Sequence, residues 1–532
     1  MELLQLLSFA ICYLLFAILV SPMPPKKDLF LAIDIGTGSV RAALSDLNGK
    51  IVAFHAAEHD QQVPHFGWSQ QRPSDWWKGV VLCIRTVLEK TDDAASRIIA
   101  VACCGQMHGT VLLDKGGVPV VDYAPLWNDK RTRGVLDQFL EQHDQEKLLP
   151  VAGNPAATAW PGFKLLWFKQ EHPDIYRQTT SVLIVKDYIN FRLTGNQAID
   201  HPEASTTYLY DIEKRTWSPS LVQVLGLDQQ ILPEIKRPID LVGTITRECS
   251  AETGLLTGTP VAVGAGDFPV TLLGSGVSRV GVGSDSTGTS TLLTLQTERA
   301  VLHPIISNVL GVDEGWSAFT ILDAGGDAVR WARRAFHDNQ VSYDDLVGVA
   351  ASAAPGSDGL IFLPYLNGER LGSRRNARAQ FFGLTYAHGS GHLHRAVMEG
   401  VAFASRRNLS IMEQSGNPMK YMVASGGGAK TRLWLEIKAS IYRTPIRTTK
   451  HTESSILGCT MIAGVAAGVY SSLGEASDQL IQLDEEIVPN PDWVPRYQKL
   501  AELFDQIYED AAPYYQKLDE YAAKFGGEEK GG

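Results

Sequence analysis

Two short stretches carry the residue types that hold a polyphosphate. In DIGTGSV, residues 34–40, a carboxylate precedes a turn through Gly36, Thr37 and Gly38, and in GSDSTGTSTL, residues 283–292, a second turn runs through Gly288 and Thr289. A tight turn between strands aims successive backbone N–H groups into one concavity, and Ser and Thr hydroxyls add donors, an arrangement that suits phosphate oxygens. Neither stretch is a GxxxxGK[ST] loop or a complete GxGxxG. A third stretch, VASGGGAKTRLWLEI, ends an apolar run in Gly426, Gly427 and Gly428, where a flat ring such as a nucleotide base has room to approach the backbone. Each stretch alone also reads as a simple chain reversal. Two similar turns, one in each half of the chain, argue for a shared ligand.

HAAEH at 55–59 matches the H-x-x-E-H pattern of zinc sites. That pattern works on a helix, where residues i and i+4 share a face. These residues read as a strand, which sets the two histidines about 13 Å apart at ~3.3 Å per residue, too far to share one ion.

Positioning the turns requires strands that end where the turns begin. FLAIDIGTGSVRAALSD, residues 30–46, reads as strand, glycine turn, strand, and Asn48-Gly49 supplies another turn before IVAFHAAEH, so the opening is a meander of hairpins. RPSDWWKGVVLCIRTVLEK follows with helical periodicity and Ser74 as its expected N-cap, and IIAVACCGQMHGTVLLD reads as an apolar strand pair around a loop. Strands then alternate with helices, which makes the class α/β. Near residue 260 the grammar restarts: PVAVGAGDFPVTLLGSG is a buried strand run ending at Gly264 to Asp267, and VGVGSDSTGTSTLLTL repeats the opening pattern. Two related halves are expected, with a boundary at about residues 274–280. Further helices are expected at about 323–336, at 392–413 and from Thr431, a strand at YMVASGGG, and a closing helix at 491–525.

A chain of 532 residues exceeds what one hydrophobic core supports, so two large domains and a cleft between them are expected. With 59 acidic against 48 basic residues, neither nucleic acid nor an anionic membrane surface is the expected main partner. The six cysteines show no CxxC pair or regular spacing, which reads as reduced thiols in the cytosol. Residues 3–20, LLQLLSFAICYLLFAILV, are long enough to cross a bilayer. A signal peptide fits poorly, because Glu2 stands where a basic region belongs. A membrane anchor with Lys26 and Lys27 kept cytoplasmic, and a true start at Met23, both leave the bulk of the chain in the cytosol.

Longer motifs resemble those of the FGGY carbohydrate kinases. AQFFGLTYAHGSGHLHRAVME, residues 379–399, is similar to the family's C-terminal signature through Phe381, Gly383-Leu384, His392-Leu393, Ala396, Val397, Met398 and Glu399. AWPGFKLLWF, residues 159–168, nearly meets the N-terminal signature through Pro161, Lys164 and Trp167. CGQMHG (104–109), LWNDKR (126–131), VKDYINFRLTG (185–195) and FLPYLNGER (362–370) resemble segments of the family's xylulose-phosphorylating branch, and the likeness spans about residues 29–515. The resemblance implies two RNase H-like domains of the actin- and hexokinase-like ATPase group, hinged around a cleft. It divides the chain into a hydrophobic segment 1–27, a sugar-binding domain 28–277, an ATP-binding domain 278–525 and a flexible tail 526–532. It implies that Asp34 holds Mg²⁺ beside the Gly36–Thr37–Gly38 phosphate turn, that Gly288, Thr289, Gly427 and Gly428 contact ATP, and that Met107 and His108 bind the sugar. Asp267 takes the place of the catalytic base, although at an ordinary pKa near ~3.9 it would be a feeble one.

The expected reaction is transfer from ATP to the terminal hydroxyl of a ketopentose, D-xylulose first among candidates. Two departures bear on the substrate: Phe268 follows Asp267 where Asn is usual, and Leu371-Gly372 replaces Thr-Pro after GER. Loss of a hydrogen-bonding partner changes discrimination strongly, so Phe268 is counted with the substrate site. Another ketose, a polyol or an autoinducer-like diketone are the alternatives, and a nucleotide-binding scaffold without turnover is the rival of a different class. The oligomeric state stays open, a homodimer being compatible.

Overall fold

A computed structural model describes residues 27–369, 374–414, 416–450 and 452–525. The hydrophobic segment at 3–20, Leu371-Gly372 and the expected tail lie outside the described residues. No helix among the described residues is long and apolar enough to cross a membrane.

Two seven-stranded sheets dominate. The first contains β1 (Leu29–Ile35), β2 (Ser39–Asp46), β3 (Ile51–Glu58), β4 (Ile98–Gly105), β5 (Leu241–Thr244), β6 (Pro260–Ala262) and β7 (Ala265–Gly266), in the order β5-β6-β4-β1-β2-β3 with β7 also paired to β4. The second contains β8 (Val282–Thr287), β9 (Thr291–Thr297), β10 (Ser307–Leu310), β11 (Trp316–Leu322), β12 (Tyr421–Ser425), β13 (Ile446–Thr449) and β14 (Leu483–Ile487), in the order β10-β11-β9-β8-β12-β13-β14. In each, three strands form an antiparallel meander and the next two join parallel to the first: β3-β2-β1-β4-β6 matches β11-β9-β8-β12-β13. The repeated grammar in the sequence is therefore a repeated sheet, the arrangement of RNase H-like domains.

The helices that matter to the site are α1 (Pro73–Glu89), α2 (Pro161–Glu171), α3 (Val185–Thr194), α4 (His201–Ala204), α5 (Asp267–Gly274), α6 (Gly326–His337), α7 (Ser390–Glu413), α8 (Arg432–Tyr442), α9 (Ser454–Ala466), α10 (Leu473–Leu480) and α11 (Val494–Phe525). Side chains alternate along β1 with period two. Leu29, Leu31, Ile33 and Ile35 share a core with Trp76, Val80 and Ile84 of α1, whereas Phe30 and Ala32 share one with Ile456, Cys459 and Ile462 of α9. The same alternation places Asp34 on the α9 face.

Several local expectations are corrected. Arg72, not Ser74, is the N-cap of α1, because Pro73 occupies the first helical position, where its fixed φ is already helical. The helix expected from Asp323 starts at Gly326, since Gly325 at φ −96°, ψ −115° is not helical. The two strands read in IIAVACCGQMHGTVLLD do not pair: β4 joins the first sheet, and Val111–Leu113 pairs with Ser181–Leu183. The helices α9 and α10, which lie between β13 and β14 in the chain, cover the first sheet, because α9 is apolar on all sides and needs burial around its circumference.

Candidate active site

Asp34 sits near the end of β1, and the tight turn fixes what faces it. With the hairpin closing at Gly36–Gly38, the antiparallel register sets Asp34 opposite Arg41, whose Nη2 lies 2.8 Å from Asp34 Oδ2. Ser455 of α9 donates to the same oxygen at 2.7 Å. Oδ1 of Asp34 is buried and meets no protein donor. The turn itself is braced from three sides: Gln71 Nε2 donates to the Thr37 carbonyl at 2.7 Å, Thr37 Oγ1 donates to Gln106 at 3.2 Å, and Trp127 Nε1 donates to Thr37 Oγ1 at 3.1 Å. Of the histidines in HAAEH, His55 lies within β3, and His59 just beyond it bonds the Gly36 carbonyl at 3.0 Å.

The parallel register carries the site across the sheet. Ile35 pairs with Gly105 of β4, and Gly105 pairs with Gly266 of β7, so Asp34 and Asp267 emerge at the carboxyl ends of a contiguous group of strands. That edge is where open α/β sheets place their ligands. Burial, and then the nearby charge of Asp34, push the Asp267 carboxyl up to about 7, against the Phe268 N–H and Arg41, which act in the other direction. A carboxyl at the ordinary value would be a feeble base at neutral pH, and burial beside Asp34 moves this one toward the range that suits proton transfer.

Met107 and His108 follow β4 immediately. His108 holds a left-handed backbone at φ 66°, a conformation that costs a non-glycine residue about 1 kcal/mol or more and that concentrates at binding sites. Its ring stands edge-on to Trp160 with centroids 5.0 Å apart, and Nδ1 lies 3.4 Å from Thr206 Oγ1. Burial, then Lys164, hold the imidazole neutral, well below the usual histidine range. Lys164 of α2, fully buried, donates to the carbonyls of His108 at 2.6 Å and Pro125 at 3.3 Å. Phe268 directly follows Asp267. Its ring packs on Phe319 of β11 with centroids 5.1 Å apart, and it joins Val277, Val282 and Val423, where an apolar ring gains more from burial than from lining a polar pocket.

On the second sheet, three glycine turns meet. Gly288 and Thr289 are exposed, and their carbonyls accept from Gly326 at 2.8 Å and Gly325 at 3.1 Å. A Cβ at Gly325 would lie 2.5 Å from the Ser290 carbonyl carbon, and one at Gly426 2.5 Å from the Thr287 carbonyl oxygen, so only glycines permit this convergence. Gly427 is exposed beside it, while Gly428 is buried against Thr287. Arg330 of α6 donates to Thr289 Oγ1 at 2.9 Å. Gly325-Gly326 and Arg330 were not singled out in the sequence, although AGG before a helix carries the same signal as GGG before α8.

Comparison with known proteins agrees with this architecture. The N-terminal domain of the FGGY family of carbohydrate kinases matches residues 29–274, and its C-terminal domain matches residues 284–467. A protein named xylulose kinase from Lactococcus lactis is 29% identical over 499 residues, covering 92% of this chain and 98% of that one. An autoinducer-2 kinase from Yersinia pseudotuberculosis is 31% identical over 513 residues, covering 91% and 95%. The crystal structure of a xylulose kinase from Rhodospirillum rubrum superposes with a TM-score of 0.87 at 26% identity, covering 92% of this chain and all of that one. The chain belongs to the FGGY family of carbohydrate kinases and is a sugar phosphotransferase.

Proposed function

We propose that the chain phosphorylates the terminal hydroxyl of a ketopentose with ATP, D-xylulose being the first substrate to test. The observation that carries this reading is the convergence of Asp34, Asp267 and the Met107–His108 loop at the ends of β1, β7 and β4. In it, Asp267 accepts the proton of the attacking hydroxyl, neutral His108 hydrogen-bonds a second hydroxyl, and Met107 covers the apolar side of the carbon chain. The turns at Gly36–Gly38 and Gly288–Thr289 hold the phosphates from opposite lobes, and Gly427-Gly428 borders the base. The free Oδ1 of Asp34 fits a divalent cation, and Mg²⁺ is the hard, oxygen-preferring choice, which when bound neutralises phosphate charge. Closure of the lobes excludes water from the transfer.

The Yersinia relative, named as an autoinducer-2 kinase, favours a second reading in which an autoinducer-like diketone takes the sugar's place. ADP release measured with Mg-ATP and a panel of ketopentoses, polyols and diketones decides between them. The proposal expects the highest kcat/KM for D-xylulose and a 5-phosphate product by ³¹P NMR; no turnover of any ketopentose, with turnover of a diketone or polyol, overturns it.

A further inference from the structure

Glu203 is fully buried, and neither of its carboxylate oxygens meets a protein donor. Its main chain, by contrast, is fixed on both sides. Asp200, held by Lys186 of α3 at 2.8 Å, caps the Glu203 N–H at 2.9 Å. The Glu203 carbonyl accepts from Thr206 N at 3.1 Å and Thr206 Oγ1 at 3.0 Å, and that hydroxyl in turn faces His108. The side chain is directed at the residue before the base. A Cβ at Gly266 would lie 2.9 Å from Glu203 Oε1 and 2.5 Å from Met107 Cγ, so only a glycine lets the carboxyl, the thioether and the Asp267 backbone crowd together. Buried polar groups without partners are rare in folded proteins and concentrate where a ligand completes them.

We infer that Glu203 is a specificity-determining residue of the sugar site, whose carboxyl hydrogen-bonds a hydroxyl of the bound substrate beside Met107 and Asp267. Substrate is the polar partner the protein itself withholds. Burial, then the charges of Asp200 and Asp187, drive the carboxyl toward its neutral form, which offers one O–H donor and one carbonyl acceptor. A polyhydroxylated chain satisfies both. A site built this way rejects an analogue lacking the matching hydroxyl by factors that reach about 10⁴.

The inference rests on Met107, His108 and Asp267 forming the sugar site, and its test is independent of which sugar that is. The substrate that wild-type enzyme turns over fastest is compared with its own single-deoxy analogues in wild-type, Glu203→Gln and Glu203→Leu enzymes. Glu203→Gln, which keeps a donor and an acceptor, is expected to stay within about tenfold of wild type in kcat/KM. Glu203→Leu is expected to raise the sugar KM by about a hundredfold, leave the ATP KM unchanged, and abolish discrimination at one carbon. Unaltered discrimination at every carbon in a folded Glu203→Leu enzyme overturns the inference. If that variant does not fold, Glu203→Met, which keeps the length of the side chain without its oxygens, decides on the same readout: lost discrimination at one carbon supports the role, and unaltered discrimination at every carbon overturns it. A best substrate that is not a ketopentose counts against the proposed function alone.

Discussion

Each lobe begins with a strand carrying a buried aspartate just ahead of a glycine turn, yet the two carboxylates are treated differently. Asp285 in β8 accepts from Lys438 at 2.7 Å and Thr287 at 2.6 Å through Oδ1, and from Tyr442 at 2.9 Å through Oδ2. Asp34 in β1 has both of its donors, Arg41 and Ser455, on Oδ2, and its Oδ1 is left open. Among the buried lysines, Lys438 of the second lobe and Lys186 of the first meet carboxylates, whereas Lys164 has only carbonyl oxygens as hydrogen-bond acceptors. Among the described residues, the buried carboxylate oxygens that meet no hydrogen-bond donor lie in the first lobe, Asp34 and Glu203 among them. Incomplete groups in a packed interior mark where a ligand belongs more sharply than residue type does.

Four substitutions break or sharpen this contrast. The largest effect is expected from Asp267→Ala: kcat falls by about 10²–10⁴-fold while nucleotide affinity measured by calorimetry stays near wild type, and near-normal turnover would remove the assigned base. Asp34→Asn is expected to lower kcat by about a hundredfold with little change in Tm, and to raise the divalent-cation concentration needed for half-maximal rate. Asp285→Ala should do the reverse. It strands Lys438 and destabilises the fold by about 3–5 kcal/mol in urea unfolding, while folded protein assayed at low temperature keeps kcat within about threefold. Equal kinetic losses at both aspartates would erase the distinction. The smallest effect concerns Lys164, which burial lowers from 10.5 to about 7. The unfolded chain holds a proton that the folded chain releases between those values, so this group's stability contribution is complete above 10.5 and is lost as pH falls through 7. The urea midpoint of wild type should therefore rise more steeply between pH 7 and 9.5 than that of Lys164→Met.

Local chemistry was readable where neighbours in sequence are neighbours in space. Each strand-turn-strand unit, and Asp34 beside its turn, lies within a short run of chain, and Arg41 was readable as well, since a hairpin closing at Gly36–Gly38 sets it opposite Asp34. Ser455, 421 residues from Asp34, was not, because nothing in an apolar helix announces which sheet it will cover. The same holds for Glu203, whose place beside Gly266 depends on packing between α4 and β7. The packing of Phe268 was equally hidden, because its ring meets Phe319, a residue of the other sheet.

One consequence follows from α9. A fragment stopping at residue 277 would keep every strand of the first sheet but strip the cover from Phe30, Ala32, Ala102 and Ala262, presenting water with a bare hydrocarbon face. The protein is thus interlaced, not merely doubled: its early half is finished by a segment synthesised nearly two hundred residues later. A newly made first lobe must wait, uncovered, until that segment arrives, and adding a peptide spanning 453–481 to the isolated fragment should rescue it from aggregation.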